Sequence, residues 1–370
     1  MGKLSSFGQN LYEGHVSFDF VGRRKLWYSV SGLIVVLATL GFVVNGFNMG
    51  VEFKGGVEFT AQVSSTNSKT VDAMTQAVVN SGVPEAGDPQ VITSGKDALR
   101  ISTKILTQDE ATKIDTALKK AGAIEVRQNL IGPTWGKQVA SKALTGLIVF
   151  LVLVVLFIWA YFREWRMSLA AIVALAHDLL ITVGVYAWTG FEITPATVTG
   201  LLTILGYSLY DTVVVFDKVR ENTKGFLRST NRTYSESANL AINQTLVRSI
   251  NTSITALLPV AALLFVGVTV LGTGPLKDLA LALFVGMAAG TYSSIFIATP
   301  LAAQLKDTEA AVKAQAQRVF AKRAKDASKD SDPGTVQVKV ESARPVTVSG
   351  AAKRTQPKRA PRSQRGKGSK

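Results

Sequence analysis

Six long apolar stretches are the feature that most constrains how this chain of 370 residues can fold. A helix that crosses the hydrocarbon core of a bilayer needs about 20 predominantly apolar residues. The segments that meet this requirement are residues 26–44, 144–162, 169–188, 195–216, 254–271 and 279–303. Because charged segments separate these stretches, the sequence predicts a membrane α-helical protein with six transmembrane helices.

The composition rules out several kinds of chemical site. The chain has no cysteine and only two histidines. Without cysteine it has no disulfide, thiol nucleophile, iron–sulfur cluster or thiolate zinc site. The two histidines are far apart in the sequence, which disfavours a clustered metal or catalytic site. We therefore expect no bound metal, no cofactor and no enzymatic reaction.

The distribution of Lys and Arg predicts the orientation of the helices. Basic residues occur at positions 23–25, 163–166 and 218–232 and throughout the tail. The connections on the other side carry few, except for one long mixed-charge segment that can be translocated whatever its charge. Residues 1–25 are thus predicted to form a cytoplasmic N-terminal segment of a multi-pass protein. Both termini are expected to be cytoplasmic.

The first apolar stretch follows a basic cluster, as the core of a secretory signal does. It is too long for such a core, no Ala-x-Ala cleavage site follows it, and a long segment precedes the cluster. Residues 26–44 are therefore predicted to be an uncleaved anchor and the first transmembrane helix. The other five helices are expected to form a bundle over residues 143–305.

The segment between the first two predicted helices, residues 45–142, is too long to be a simple connector. Alternating apolar residues predict four strands, and helical spacing predicts two helices between them. Thr107 and Glu110 form a capping-box pattern that starts the second of these helices, predicted over Gln108–Lys120. The order βαββαβ is that of a ferredoxin-like α+β domain outside the cytoplasm. Such a domain would be a docking surface for an exported chain or a spacer.

The last part of the chain has a different composition. After about Phe320 it loses apolar periodicity and becomes rich in Lys, Arg, Ser, Pro and Gly. Residues 306–370 are therefore predicted to be a basic, disordered cytoplasmic tail. Attraction to anionic membrane lipids is one interpretation of its charge, and contact with RNA or another anionic cytosolic partner is the alternative.

Carboxylates within the apolar stretches are the main candidates for function, since inserting one costs about 2.5–3.5 kcal/mol. Asp178 follows His177 in the third stretch, and Asp211 is deep in the fourth. Tyr207 and Asp211 are four residues apart, with Ser208 beside them, so they predict a polar stripe along one helix. For Asp178, a local pairing with His177 is an alternative to a role in proton transfer.

A second polar stripe is predicted on the helix that contains the fifth stretch. Its members are Thr245, Arg248, Asn251, Thr252 and Thr255. Two polar stripes on neighbouring helices are expected to face each other, which makes Arg248 the natural counter-charge for Asp211. An acid whose partner approaches and withdraws can relay protons. The alternative is a static salt bridge between helices, with about 0.6 kcal/mol per contact.

A glycine-rich run follows the first predicted helix and includes Gly50, Gly55 and Gly56. Glycine allows a positive φ and a close approach of two chain segments. The run is predicted to be outside the cytoplasm and lacks the strand–loop–helix setting of a phosphate-binding loop, so a nucleotide site is disfavoured. We interpret it as a hinge between the membrane helices and the external domain.

Several motifs give the sequence a resemblance to the SecD–SecF protein-export family. They are residues 45–56 (NGFNMGVEFKGG), 131–136 (IGPTWG), 176–178 (AHD), 206–222 (GYSLYDTVVVFDKVREN) and 244–253 (QTLVRSINTS). The motifs occur in the family's order, and the resemblance covers roughly residues 18–305. The resemblance places the chain in the resistance–nodulation–division superfamily, whose working unit has twelve spans.

The resemblance implies an accessory subunit of the Sec protein translocase in the bacterial cytoplasmic (inner) membrane. Six spans are half of the family's unit, so a SecD-like partner is implied. The implied activity uses the proton-motive force to promote export and release of a translocating preprotein from the SecYEG channel, after SecA has pushed it. No cofactor is implied.

The resemblance also assigns roles to individual residues. By their positions in the motifs, Asp211 and Arg248 are implied to be the proton-coupling pair, with Asp178 as a further member. Two residues depart from the family's pattern: Glu52 replaces an Asp, and Tyr210 replaces an Asn directly before Asp211. The loss of that amide changes which hydrogen bonds are available around Asp211.

Two other functions compete with this one. A small-molecule exporter of the same superfamily would carry much larger external regions than residues 45–142. A membrane-embedded enzyme would need a nucleophile and a base or a pair of catalytic aspartates. Asp178 and Asp211 lack the glycine-flanked motif that is usual for such a pair.

Overall fold

The computed structural model of the protein describes residues 17–268 and 275–330. Within these residues, six helical segments are long and apolar enough to cross a membrane, which confirms the predicted number. The first five are α1 (Arg24–Asn45), α5 (Pro133–Phe162), α6 (Trp165–Thr189), α7 (Pro195–Asn222) and α8 (Tyr234–Val266). The sixth consists of α9 (Pro275–Ser293), a π-helical turn (Ser294–Ala298) and α10 (Thr299–Lys306).

The external domain comprises the elements between α1 and α5. They are α2 (Val51–Lys54), β1 (Gly56–Gln62), α3 (Ser68–Val79), β2 (Gln90–Ser94), β3 (Ala98–Thr103), α4 (Gln108–Lys120) and β4 (Glu125–Ile131). All strand pairs are antiparallel, and the sheet order is β2-β3-β1-β4. After the short α2, the element order is βαββαβ, so the predicted ferredoxin-like α+β architecture is confirmed.

The sequence explains why this domain folds as it does. The predicted capping box forms: the Thr107 amide donates to Glu110 Oε2 at 2.8 Å, and the Thr107 hydroxyl accepts from the Glu110 amide. One face of the sheet packs under α3 and α4 and is completely buried at Phe59, Leu99 and Ile101. The alternation along each strand leaves the opposite sheet face free for another contact.

The first membrane-proximal turns of α5 differ from the prediction. The helix begins at Pro133, eleven residues before the predicted start at residue 144. Proline is favoured at the first position of a helix because the missing N–H would have no partner there. The polar residues Lys137 and Lys142 therefore belong to a helical extension that runs from the external domain into the membrane.

α7 and α9 pack closely because small residues line their interface. A Cβ atom at Gly286 would lie 2.0 Å from Ile204 Cδ1, and one at Gly290 would lie 2.8 Å from Ser208 Cβ. Two glycines four residues apart on α9 thus allow the helix backbones to approach each other. This contact brings Ser208 of α7 against α9.

Ion pairs connect the ends of the helices that are remote from the external domain. Lys306 Nζ lies 2.9 Å from Glu309 Oε1 and also pairs with Glu164, which precedes α6. Arg166 pairs with the same Glu309. Arg24 of α1 lies 3.6 Å from Asp307. These contacts fix the positions of α1, α6 and α10 relative to one another at this end.

The prediction of a disordered tail from residue 306 is wrong for its first part. A further helix, α11, covers Ala310–Asp330. Its sequence is rich in alanine, which favours helix, and its buried Val312 and Val319 supply apolar contacts. The Gln315 side chain also donates to the backbone oxygens of Ser229 and Arg232. Residues 331–370 lie outside the described part of the chain.

The described residues up to Lys322 form one compact unit, and a second unit begins at Arg323. Most of the predicted N-terminal segment falls outside the described residues, except for residues from 17 onward. In that remainder, the Phe18 amide donates to Asn243 Oδ1 at 2.7 Å, and the Phe20 amide donates to Asn239 Oδ1 at 2.8 Å.

Candidate functional site

Two carboxylates are buried among the membrane helices. Asp178 is on α6 with 1% of its surface exposed, and Asp211 is on α7 with 6% exposed. A carboxylate in this environment is costly unless hydrogen-bond donors surround it. The donors that face each carboxylate therefore define the candidate site.

Asp178 accepts hydrogen bonds from two other helices. The Ser208 hydroxyl on α7 donates to Asp178 Oδ2 at 2.5 Å, and the Ser293 hydroxyl at the end of α9 donates to the same oxygen at 2.8 Å. His177 Nδ1 lies 3.3 Å from the other oxygen, Oδ1. The Asp178 carboxylate thus connects α6 to both α7 and α9.

Asp211 has an equivalent arrangement with different helices. The Ser249 hydroxyl on α8 donates to Asp211 Oδ1 at 2.7 Å. The Ser294 hydroxyl donates to Asp211 Oδ2 at 2.5 Å. This carboxylate therefore connects α7 to α8 and to the segment that follows α9.

Ser293 and Ser294 link the two carboxylates. Ser293 is the last residue of α9, and Ser294 is the first of the π-helical turn. Successive residues of a helix point about 100° apart, so neighbouring hydroxyls can face different partner helices. Single π-helical turns are rare and frequently occur at functional sites. The two aspartates are therefore bridged by the hydroxyls of adjacent residues in the middle of the sixth span.

A second layer of hydroxyl groups extends the network along α8 and α9. The hydroxyls of Ser253 and Thr291 lie 2.7 Å apart, and the Ser253 hydroxyl donates to the Ser249 backbone oxygen at 2.8 Å. The Tyr207 hydroxyl donates to Ser253 Oγ at 3.4 Å. Hydroxyl groups can donate and accept, so this layer can change the direction of its hydrogen bonds without moving a helix.

The structure does not bring Arg248 to Asp211. Arg248 is exposed on α8, and its guanidinium donates to the Tyr210 hydroxyl at 3.1 Å. Among the ion pairs between described residues, none joins Arg248 to Asp211. The buried stripe of α8 instead repeats every four residues at Thr245, Ser249 and Ser253. Arg248 precedes Ser249 by one residue and so points about 100° away from that stripe.

The supporting residues predicted from the sequence divide into two groups. Ser208 and Tyr207 on α7 belong to the network. On α8, Thr245 is buried, but its hydroxyl donates to the backbone oxygen of Ala241 in its own helix. Asn251 is exposed and Thr252 is half-buried, on the side of α8 that carries Arg248. The predicted stripe on α8 thus combined residues from two different faces.

Sequence reasoning missed the hydroxyl donors of the site. They are Ser249, Ser253, Thr291, Ser293 and Ser294. A usable signal was present, because the sixth apolar stretch contains one threonine and two serines within four positions (291–294). Serine and threonine side chains form hydrogen bonds to other helices within a membrane. A cluster of them in an apolar stretch therefore marks a candidate site, as an isolated charge does.

The three predicted hinge glycines lie at the junction between membrane and external domain. Gly55 and Gly56 have φ values of 74° and 146°, which side chains rarely adopt. A Cβ atom at Gly56 would lie 2.4 Å from the Thr103 backbone oxygen. The Gly50 amide donates to the Ile193 backbone oxygen at 3.0 Å. Glycine is therefore required here by conformation and close approach, and bending at this point stays a prediction.

No group of three or more His, Asp or Glu side chains in residues 17–268 and 275–330 is arranged to hold a metal ion. What the described site offers is two carboxylates that face hydroxyl donors, with one imidazole beside Asp178. A carboxylate that gains a proton becomes a donor, and a serine hydroxyl can then turn to accept. The chemistry that such an arrangement supports is the uptake and release of protons.

Comparison with known proteins gives the chain its family. The family model described as "Protein export membrane protein SecD/SecF, C-terminal" matches residues 112–308, which is more than half of the chain. The chain belongs to the SecD/SecF family. The family's glycine-motif model matches residues 40–66, which contain the three predicted hinge glycines. The resemblance derived from the motifs is thereby confirmed. The prediction that the chain is a multi-pass membrane protein is confirmed as well.

Relatives within the SecD/SecF family cover most of this chain. The chain is 51% identical to the protein translocase subunit SecF of Streptomyces coelicolor, over 89% of this chain and 87% of that protein. It is 47% identical to SecF of Mycobacterium leprae, over 85% of this chain and 69% of that protein. The protein translocase subunit SecDF of Thermus thermophilus is 34% identical over 80% of this chain.

A solved SecDF structure has the same fold. The crystal structure of the translocon-associated membrane protein SecDF from Thermus superposes with a TM-score of 0.69 at 32% identity. The match covers 79% of this chain and 39% of the SecDF chain, so this chain spans about two fifths of that protein. The six-helix architecture with one external α+β domain is therefore that of a SecDF portion.

Proposed function

We propose that this chain is an accessory subunit of the Sec protein translocase that works with a SecD-like partner and uses the proton-motive force to promote preprotein export. The observation that carries the proposal is the pair of buried aspartates bridged by Ser293 and Ser294. The relatives of this chain are named protein translocase subunits, and one of them combines SecD and SecF in a single chain.

Proton transfer is proposed to act through the hydroxyl bridge. When Asp211 is ionised, it accepts from Ser249 and Ser294, as observed. A proton on Asp211 would turn one of these bonds around, because the carboxyl then donates and the hydroxyl must accept. The same exchange at Asp178 would change its bonds to Ser208 and Ser293. Protonation would therefore alter contacts among four helices at once.

Arg248 is proposed to be the mobile partner of this site. In the observed arrangement it is bonded to the Tyr210 hydroxyl and is separated from Asp211. A relay needs one state in which the cation is withdrawn and another in which it approaches the acid. Tyr210 would hold Arg248 in the withdrawn state, a role that the family's usual Asn at this position would perform with an amide.

The SecD-like partner is proposed to cover the exposed polar face beside Arg248. Tyr210 is 53% exposed, and Asn251 is exposed as well. A guanidinium and an amide on a lipid-facing surface are costly, so a second set of helices is expected to pack there. The twelve helices together would enclose the aspartates and Arg248.

The other interactions follow from the family and the charge distribution. We propose that both termini are cytoplasmic, because Arg23, Arg24, Lys25, Arg163 and Arg166 all lie at the helix ends remote from the external domain. The external domain would then face the exported preprotein as it leaves SecYEG, after SecA has acted. The basic residues of the tail would interact with anionic membrane lipids or another anionic partner.

The proposal is tested by preprotein release at equal membrane abundance of each variant. Release late in translocation is measured with and without a proton gradient for wild type, Asp211→Asn and the control Asp217→Asn. Asp217 is on the same helix but exposed, where it accepts from the Tyr161 hydroxyl. We expect the gradient to accelerate release for wild type and Asp217→Asn and to have no effect for Asp211→Asn.

If Asp211→Asn responds to the gradient as wild type does, Asp211 only stabilises helix packing and the coupling proposal fails. A small-molecule exporter would instead show no effect of any variant on preprotein release. No observation on the described residues favours an enzymatic reaction over this function.

A further inference from the structure

A buried ion triad lies between the external domain and the membrane helices. Arg100 of β3 has its Nε 3.0 Å from Glu58 Oε2 of β1, within the same domain. Its Nη1 donates to Glu192 Oε2 at 2.7 Å. Glu192 is in the loop between α6 and α7, so this second contact crosses from the domain to the membrane part. Both Arg100 and Glu192 are more than nine-tenths buried.

The strand pairing explains why the triad faces the membrane part. Arg100 is opposite Thr60 in the β1–β3 ladder, and Glu58 is two residues further along the same face. The adjacent residues Phe59, Leu99 and Ile101 point to the other face and form the domain core. The sheet face without helices of its own is therefore covered, at Arg100, by the α6–α7 loop.

Backbone contacts join the same two parts beside the triad. The Ile193 amide donates to the Asn48 oxygen at 2.7 Å, and the Gly50 amide donates to the Ile193 oxygen at 3.0 Å. The Asn48 side chain donates to the Gly190 oxygen at 3.0 Å. These bonds involve the segment that precedes the domain. The Arg100–Glu192 pair, in contrast, connects the sheet itself directly to the loop.

Further charges surround Glu192 at this junction. A cavity of about 100 Å³ is lined by Arg100, Glu192, Lys277 and Asp278 among others. The Asp278 carboxylate accepts from the Thr194 hydroxyl at 3.3 Å, and Lys277 Nζ lies 4.8 Å from the centre of the Phe191 ring. The loop that Arg100 contacts is thus tied to the first turn of α9 as well as to α7.

These contacts place the triad at the outer ends of the helices that carry the aspartate network. Glu192 is three residues before α7, and Asp211 lies 16 residues into that helix, about 24 Å further along. Asp278 is near the start of α9, which ends at Ser293. A rigid bond at this end would make the external domain follow movements of α7 and α9.

We propose that Arg100 is a positioning residue that locks the external domain to the α6–α7 loop through Glu192, so that the domain and the helix ends move as one body. Removing one partner of a buried ion pair leaves the other charge without compensation. Loss of the Glu192 carboxylate is therefore expected to release the sheet face from the loop. The inference goes beyond the proposed function and does not depend on proton coupling.

Spin-label distance measurements on the full chain in lipid nanodiscs test this inference. The natural sequence has no cysteine, so labels can be placed at Lys69→Cys on α3 and Val44→Cys at the end of α1 without removing any native residue. Both positions are exposed. The variant is Glu192→Ala, which changes a residue outside the domain and leaves the Glu58–Arg100 pair intact. The matched control is Glu125→Ala, which removes the exposed ion-pair partner of Arg127 on β4.

We expect Glu192→Ala to broaden the distance distribution at least twofold and Glu125→Ala to leave it at the wild-type width. Hydrogen exchange of the β1 and β3 amides on the same samples reports whether the domain is still folded. A broad distribution with protected amides supports the inference. A wild-type distribution in Glu192→Ala overturns it, because the backbone contacts would then suffice. Loss of amide protection also overturns it, because Glu192 would then be needed for folding and not for position.

Discussion

Ser293 and Ser294 are adjacent in the sequence, yet their hydroxyls donate to carboxylates on two different helices. Ser293 bonds to Asp178 of α6, and Ser294 bonds to Asp211 of α7. The bridge lies where α9 changes into a π-helical turn. A shift of this turn would therefore change the hydrogen bonding of both acids, which gives the site a physical means of coupling them.

Removal of either bridging hydroxyl is expected to weaken both stability and coupling. Ser294→Ala leaves Asp211 with one donor fewer in a buried site, which costs about 1–3 kcal/mol. We expect a lower melting temperature in thermal unfolding and a smaller acceleration of preprotein release by the proton gradient. Ser29→Ala is the control, because that exposed hydroxyl donates only to Lys25 of its own helix. If the two variants have the same melting temperature and the same response to the gradient, Ser294 is not a functional part of the site.

The close contact of α7 and α9 is expected to be sensitive to a single methyl group. Gly290→Ala would place a Cβ 2.8 Å from Ser208 Cβ, and overpacking of this kind costs about 1–3 kcal/mol. It would also push Ser208 away from Asp178. Gly206→Ala on α7 is the control, since no atom beyond its chain neighbours and its own helix backbone lies within 4 Å of its Cβ position. Thermal unfolding should show a loss for Gly290→Ala only, and a loss of equal size in both would contradict the close-contact account.

Arg248 is expected to matter for coupling and hardly for stability. It is exposed and bonds only to the Tyr210 hydroxyl among the described residues, so Arg248→Ala should change the free energy of unfolding by less than about 0.5 kcal/mol. We expect the same variant to abolish the effect of the proton gradient on preprotein release. Tyr210→Phe should keep part of that effect, because the cation remains. A large drop in melting temperature for Arg248→Ala would instead indicate a structural role.

The Glu58 and Glu192 carboxyls are expected to stabilise the folded protein more as the external pH falls. Burial raises the pKa of Glu58 and of Glu192 above the usual carboxyl value of 4.5, although Arg100 acts in the opposite direction. The other charged groups that face this pair are Glu52, Lys277 and Asp278, so negative charges outnumber positive ones.

Proton linkage sets the sign of this pH dependence. A carboxyl whose pKa is raised in the folded protein binds its proton more tightly there than in the unfolded chain. Its contribution to the free energy of unfolding is therefore complete below about pH 4.5 and is lost as the pH rises through the raised pKa. On acidification from about pH 7.5 to about pH 5, the melting temperature of wild type should gain more than that of Glu192→Gln. An equal change in the two proteins would contradict this account.

The sequence by itself determined the architecture of this protein. Apolar runs of sufficient length specify membrane helices, because no other local structure satisfies the backbone within lipid. The period-two and helical patterns of residues 45–131 specified the βαββαβ order, and the Thr107–Glu110 pattern specified where one helix begins. The sequence likewise marked Asp178 and Asp211, since a charge in an apolar stretch stands out whatever surrounds it.

The tertiary structure alone decided which side chains meet those two acids. Arg248 was the expected partner of Asp211 on grounds of charge, but the buried face of α8 presents Ser249 and Ser253 instead. Helical spacing gives the residues that share a face and does not give the rotation of that face toward a neighbour. The rotation is set by close packing of small residues, such as Gly290 against Ser208, and by the π-helical turn at Ser294. In the same way, the bond between Arg100 and Glu192 joins residues 92 positions apart, a contact that no local pattern encodes.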